Sequence, residues 1–276
     1  MRIDVGSQAQ QAVFRAFVAV CQADERVAAA FLGGAHAKGS ADEHSDLDLY
    51  LVVRDEAYDD FFAGRETFLR RLGELLFLDH FGGFGFDLLI FTFAGGAQGE
   101  LAIGRTSAFD HIHGGPFLPL VDKEGLLAGK TFALLEAPPE RQRAALRATL
   151  GWFWRHLWKF SVAIHRRQLW SAYVALDAMR LACVNLLRLH HDFATDPEGY
   201  WKVEPVVPAE ELAPLLATFT PLERDGLVQA AGAIVEFYRQ VAPPVAAAHG
   251  FDYPADLDRM GASRLEALRG SAHPDR

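Results

Sequence analysis

Phe31-Leu-Gly-Gly-Ala-His-Ala-Lys-Gly-Ser-Ala-Asp-Glu-His-Ser-Asp46-Leu-Asp48-Leu-Tyr50 is the stretch from which the rest of this chain can be read. A short apolar run, Val27 to Leu32, leads into it and stops at Gly33-Gly34. A polar, glycine-bearing loop, Ala35 to Ser45, follows, and Asp46 to Val53 then alternates as a strand does. Side chains on a strand alternate faces, so Asp46 and Asp48 share one side while Leu47, Leu49 and Leu51 take the other. Two adjacent carboxylates repel each other and call for a cation. Mg²⁺ suits such a pair, because it takes one or two carboxylates and completes its shell with substrate phosphates. The glycines ahead of the pair let backbone N–H groups approach phosphate oxygens unobstructed. Lys38 can add a point charge to the same phosphates, and Asp87, opening the apolar run Leu88-Leu-Ile-Phe91, is the natural third carboxylate.

By itself Asp-x-Asp also describes a half-exposed strand with two solvated aspartates. The conjunction of Gly-Gly turn, loop, Ser-Asp-Leu-Asp-Leu strand and later acidic strand is harder to explain as surface decoration.

Around this centre the spacing predicts a helix over Ala9 to Gln22 (Val13, Phe14, Phe17, Val18 and Cys21 on one face), a second over Thr67 to Leu76, a strand over Gly85 to Phe93 and another near Glu100 to Ile103. Beyond Ala137-Pro138-Pro139 the pattern turns helical: Arg141 to His165, Ala172 to His191, two helices after Pro208 and Pro221, a stop at Val241 to Pro244, and a short helix between Ala255 and Leu268. The fold class expected is α+β, with a mixed-sheet domain over 1–136 and a helical-bundle domain over 137–276 that holds the acceptor.

Composition narrows the function. The 276 residues, half of them hydrophobic, suffice for one large or two modest cores. A net charge of −9 argues against nucleic acid as a partner and favours cationic small molecules. Cys21 and Cys183 fit no disulfide or metal spacing, Met1 to Gly6 lacks signal-peptide features, and Ala28 to Gly34 is too short to span a bilayer, so a cytoplasmic protein without a membrane partner is expected. A homodimer is compatible with the sequence.

The quoted segment resembles the signature of the nucleotidyltransferase superfamily that includes kanamycin and lincosamide nucleotidyltransferases. That signature is Gly-Ser or Gly-Gly, a loop, Asp-h-Asp (h hydrophobic), and a third acid on a following strand. Phe84-Gly-Phe-Asp-Leu-Leu-Ile-Phe91, then Gly99-Glu100-Leu101, is similar to the downstream stretch of the lincosamide branch, where the corresponding glutamate is a proposed base. Trp152-Phe-Trp154, Leu186-Leu-Arg188 and Tyr200-Trp201 resemble that branch loosely. Neither Gly33-Gly34 nor Gly34-Ala35 supplies the family's serine hydroxyl, and Ser40 is the available substitute.

The resemblance implies transfer of a nucleoside monophosphate, from ATP or another NTP, to a hydroxyl of a small molecule, an aminoglycoside- or lincosamide-like antibiotic. It implies Asp46, Asp48 and Asp87 as Mg²⁺ ligands, Gly33, Gly34, Lys38 and Ser40 around the nucleotide, and Asp46, Asp48 and Glu100 as catalytic, with Glu100 the general base. Glu100 reads equally as a solvated residue after Gly95-Gly96. Rival readings are a protein-adenylylating enzyme of toxin–antitoxin type, usually shorter, and a non-catalytic nucleotide-binding module, which has no need of the acids.

Other residues have plainer readings. Asp110-His111-Ile-His113 reads as loop histidines and Lys123 as a turn residue. Trp152, Trp154, Trp158 and Phe160 read mainly as packing. His190-His191 suits a helix C-terminus. Asp177, Arg180 and Asn185 read as solvent-facing or as cleft residues.

Overall fold

The computed structural model describes residues 6–83, 85–134 and 136–270. The chain divides into two compact units, Met1–Leu135 and Glu136–Arg276.

In the first unit, α1 (Gln8–Ala23) starts at a capping box. The Ser7 hydroxyl accepts from the Gln10 backbone, and the Gln10 side chain accepts from the Ser7 N–H. Capping contributes about 1 kcal/mol, whereas each apolar side chain taken fully out of water contributes about 1.5–3 kcal/mol. Burial of Val13, Phe14, Phe17, Val20 and Cys21 is therefore what holds the helix in place.

The sheet has six strands in the order β3-β4-β5-β2-β1-β6. They are β1 (Val27–Leu32), β2 (Leu47–Val53), β3 (Leu75–Phe81), β4 (Asp87–Phe93), β5 (Gln98–Arg105) and β6 (Leu118–Asp122). β2 and β5 run parallel; the other pairings are antiparallel. One face shares a core with α1, α3 (Tyr58–Ala63) and α4 (Arg65–Arg70) through Phe17, Phe61, Phe68, Leu49, Leu51 and Leu101. On the other face Phe31, Val52 and Ala102 pack with Phe109, Ile112 and Phe132 from the segment after β5.

Some expectations are corrected. The helix expected over Thr67–Leu76 ends at Arg70, and Leu75 already belongs to β3. β3 is an edge strand whose burial shows no alternation, so its sequence carries no period-two signal. Part of the Ala35–Ser45 loop is a short helix, α2 (Gly34–Lys38).

The second unit holds α5 (Pro139–His165), α6 (Leu169–His191), α7 (Ala209–Leu216), α8 (Arg224–Ala248) and α9 (Ala255–Gly270) around a core that includes Phe153, Trp154, Phe160, Met179 and Tyr238. Proline was expected to end a helix at Val241–Pro244, yet α8 runs through Pro243 and Pro244. Val245 and Ala246, just beyond, are buried in the core, and that packing offsets the lost backbone bonds. Among the described residues no helix is long and apolar enough to cross a membrane.

Candidate active site

The parallel pairing of β2 with β5 sets Asp48 directly beside Glu100. Paired residues share a face, so these two carboxylates project together, on the side opposite Leu49 and Leu101. Asp46 lies just before β2 with the same parity as Asp48. Its charge reaches Glu100: burial first, and then Asp46, raise the Glu100 carboxyl above its ordinary value. Tyr50 is next along this face, and burial, followed by the charges of Asp48 and Glu100, pushes its phenol upward. Asp46, Asp48 and Glu100 thus share one negative field.

The glycine turn is built around that field. The Gly33 N–H donates to the Asp48 carbonyl at 2.9 Å, joining the end of β1 to β2. Gly34 has φ +57°, a left-handed conformation, and a Cβ there would stand 1.6 Å from Asp48 Oδ2. A Cβ on Gly33 would meet the Tyr50 ring at 2.6 Å and the His113 ring at 2.8 Å. Both positions are therefore closed to any larger residue. A serine at position 34, as in the superfamily's Gly-Ser, would displace Asp48.

α2 carries Lys38, exposed at its last residue, and the chain turns at Gly39 with φ +71°. Ser40, also exposed, is tied back by its N–H to the Ala35 carbonyl at 3.0 Å. The approach to Asp46 is fixed from two sides. Asp42 accepts from the His44 N–H and the Ser45 hydroxyl, and Gln10 Nε2 donates to the Ser45 carbonyl at 2.5 Å.

Asp87 does not belong to this group, contrary to the sequence expectation. On β4, Ile90 pairs with Glu100 whereas Asp87 pairs with Ile103, and the odd spacing turns Asp87 to the opposite face. There it accepts from the Tyr58 hydroxyl at 2.6 Å and pairs with His80 Nε2 at 2.7 Å. The acid that joins Asp46 and Asp48 is Glu100.

His113, read from the sequence as a loop histidine, reaches the glycine turn. It is buried against Gly33, with its ring 4.7 Å from Tyr50, and its Nε2 lies 2.9 Å from the Pro116 carbonyl. Burial, and more weakly the Lys38 charge, lower its pKa, so Lys38 stands within electrostatic reach of this side of the turn. An isolated histidine in a loop gives no periodic signal that could have found it.

Several other residues settle into plain roles. Asp110 pairs with Lys130, and Lys123 donates to the Asp24 carbonyl at 2.7 Å. Arg180 is buried and bonds Asp177 and Thr218.

Among the described residues, no group of three or more His, Cys, Asp or Glu side chains is arranged to enclose a metal ion. The donor chemistry nevertheless fits Mg²⁺. Asp46 and Asp48 offer hard oxygen atoms, and Mg²⁺ uses one or two carboxylates plus substrate oxygens rather than an all-protein cage.

Comparison with known proteins places the chain alongside antibiotic-modifying enzymes. Residues 8–266 match the model of the family described as streptomycin adenylyltransferase. No curated protein matches. Among solved structures, an aminoglycoside 6-adenyltransferase from Bacillus subtilis is similar over 96% of this chain and 99% of that chain, at 15% identity and a TM-score of 0.44.

Proposed function

Since the chain belongs to the streptomycin adenylyltransferase family and is a nucleotidyltransferase, we propose that it transfers AMP from ATP to a hydroxyl of an aminoglycoside-type antibiotic, using Asp46, Asp48 and Glu100. The observation that carries this reading is the gathering of these carboxylates on one face of the β2–β5 pair, beside a glycine turn that any Cβ would crowd.

Asp46 and Asp48 would hold Mg²⁺, which when bound neutralises charge on the phosphates. Gly33 and Gly34 keep the backbone bare where phosphate oxygens approach, and Lys38 and Ser40 flank them. The acceptor oxygen forms a bond to the α-phosphorus as the bond to the bridging oxygen breaks and pyrophosphate departs. Glu100 takes the acceptor's proton. Its half-buried position and the neighbouring Asp46 make it a stronger base than an ordinary glutamate. An acceptor bearing amino or guanidino groups also suits an acidic chain of net charge −9.

Incubating the protein with α-labelled ATP, Mg²⁺ and separate streptomycin, other aminoglycosides and a lincosamide tests the proposal. A labelled aminoglycoside is the expected product. Labelled protein, or nucleotide binding without turnover, would refute it.

A further inference from the structure

A second constellation lies wholly within the helical unit. An open groove of about 430 Å³ between α5 and α6 has Arg155, His156, Trp158 and Lys159 of α5 and Gln168 and Ser171 at the start of α6 on its polar side, with valines and alanines of both helices lining the rest. No carboxylate lines it. The chain as a whole carries 36 acidic residues against 27 lysines and arginines. Elsewhere arginines have found acids: Arg26, Arg54, Arg105, Arg141 and Arg239 are each in an ion pair. Among the described residues Arg155 and Lys159 are not paired with any carboxylate.

The arrangement works against the helix that carries it. Arg155 and Lys159 are four residues apart on α5, where like charges repel across one turn. Between them His156 is half-buried, and burial, then Lys159 and Arg155, lower its pKa. The opposite wall adds the first turn of α6, a 23-residue helix whose N-cap Gln168 makes no side-chain capping bond. Its dipole favours negative charge at that end. Trp158, on whose ring the Arg264 guanidinium stacks, lines the α5 side, and Ser171 offers a hydroxyl donor.

We propose that this groove binds a polyphosphate anion, either the tail of a nucleotide or free pyrophosphate. The cavity has the size of a small-molecule site, and its lining offers cations, a helix N-terminus and a hydroxyl to phosphate oxygens. None of its residues comes from the strands bearing Asp46, Asp48 or Glu100.

The test is titration of the full-length protein with pyrophosphate and, separately, with ATP in EDTA, followed by calorimetry and tryptophan fluorescence. Without divalent metal the carboxylate cluster repels these anions. Saturable binding is expected. Arg155→Glu/Lys159→Glu should weaken it by about 10- to 100-fold, the loss expected for charge-assisted contacts. Arg155→Gln/Lys159→Gln serves if the reversal disturbs folding by circular dichroism. Tighter binding of ATP than of pyrophosphate would identify the nucleotide as the ligand, and equal binding the phosphate chain alone. Absence of saturable binding by both anions, or binding that the double variants leave unchanged, overturns the proposal.

Discussion

Replacing Gly34 by alanine puts the geometry of the turn to a direct test. A Cβ at this position would stand 1.6 Å from Asp48 Oδ2. Ordinary carbon contacts begin near 3.5 Å, so the carboxylate must retreat by about 2 Å or the turn must open by as much. Gly34 also has φ +57°, which costs a non-glycine residue about 1–2 kcal/mol. Gly125 separates the two effects: it lies in the same unit at φ +71°, with nothing within 4 Å of an added Cβ. Gly125→Ala should therefore lose similar stability while keeping its turnover. Gly34→Ala should lose turnover in addition, by about 10²-fold or more, since misplacing a reacting group by ~1 Å costs on that order. Melting temperature by circular dichroism and pyrophosphate release at saturating MgATP measure the two quantities on each variant. Gly34→Ala turning over within a few-fold of Gly125→Ala would show that Asp48 can move freely, and the site as described would be wrong.

Four further outcomes follow from the placement of the acids. Asp48→Asn should abolish pyrophosphate release and weaken MgATP binding by calorimetry, whereas Glu100→Gln should bind MgATP normally and lose about 10²–10⁴-fold in transfer; equal loss of binding in the two would move Glu100 into the metal shell. Because the folded state raises the Glu100 pKa, the acid limb of kcat/KM should lie above the range of an ordinary glutamate, activity falling as pH drops through it. The same shift means that ionised Glu100 opposes folding above its folded-state pKa and that this penalty is relieved as pH falls through it; Glu100→Gln should thus raise the melting temperature at pH 8 but not at pH 4. Asp87→Asn, on the opposite face, should cost about 1 kcal/mol of stability through its contacts with Tyr58 and His80 and leave turnover within a few-fold, and a loss as deep as that of Asp48→Asn would contradict its assignment to that face.

The legible parts of this molecule are those with a strong period or a restrictive chemistry. Asp46, Asp48 and the alternating leucines identified β2 and its acidic face because the core side of that strand is uniformly apolar. α1 was legible from its single buried stripe. β3 was not, since an edge strand with most side chains exposed has no alternation to read. Asp87 failed for a subtler reason. Its strand was identified correctly, but the face it presents depends on register against β5, and one residue of register reverses every side chain. Glu100 was recognised as a candidate, and its pairing with Asp48 needed the parallel β2–β5 ladder, which no local pattern encodes. His113 reaches the turn through packing alone, at a separation of 80 residues from Gly33 (113 − 33).

That parallel ladder has a kinetic consequence. β2 and β5 adjoin in space, but β3, β4 and two helices intervene between them in the chain. Adjacent antiparallel strands such as β3 and β4 can close locally, whereas this pairing must wait for a long loop to be drawn shut. That ladder, whose paired residues lie 52 positions apart, also sets Glu100 against Asp48, so electrostatic opposition is met at a step that already carries a loop-closure cost. Relieving that opposition, as Glu100→Gln does, should accelerate refolding in stopped-flow experiments, most clearly at low salt, where screening is weakest. An unchanged refolding rate would mean that the ladder forms only after the barrier has been crossed. The arrangement proposed to perform the chemistry is then also the arrangement that sets the pace at which the protein comes into being.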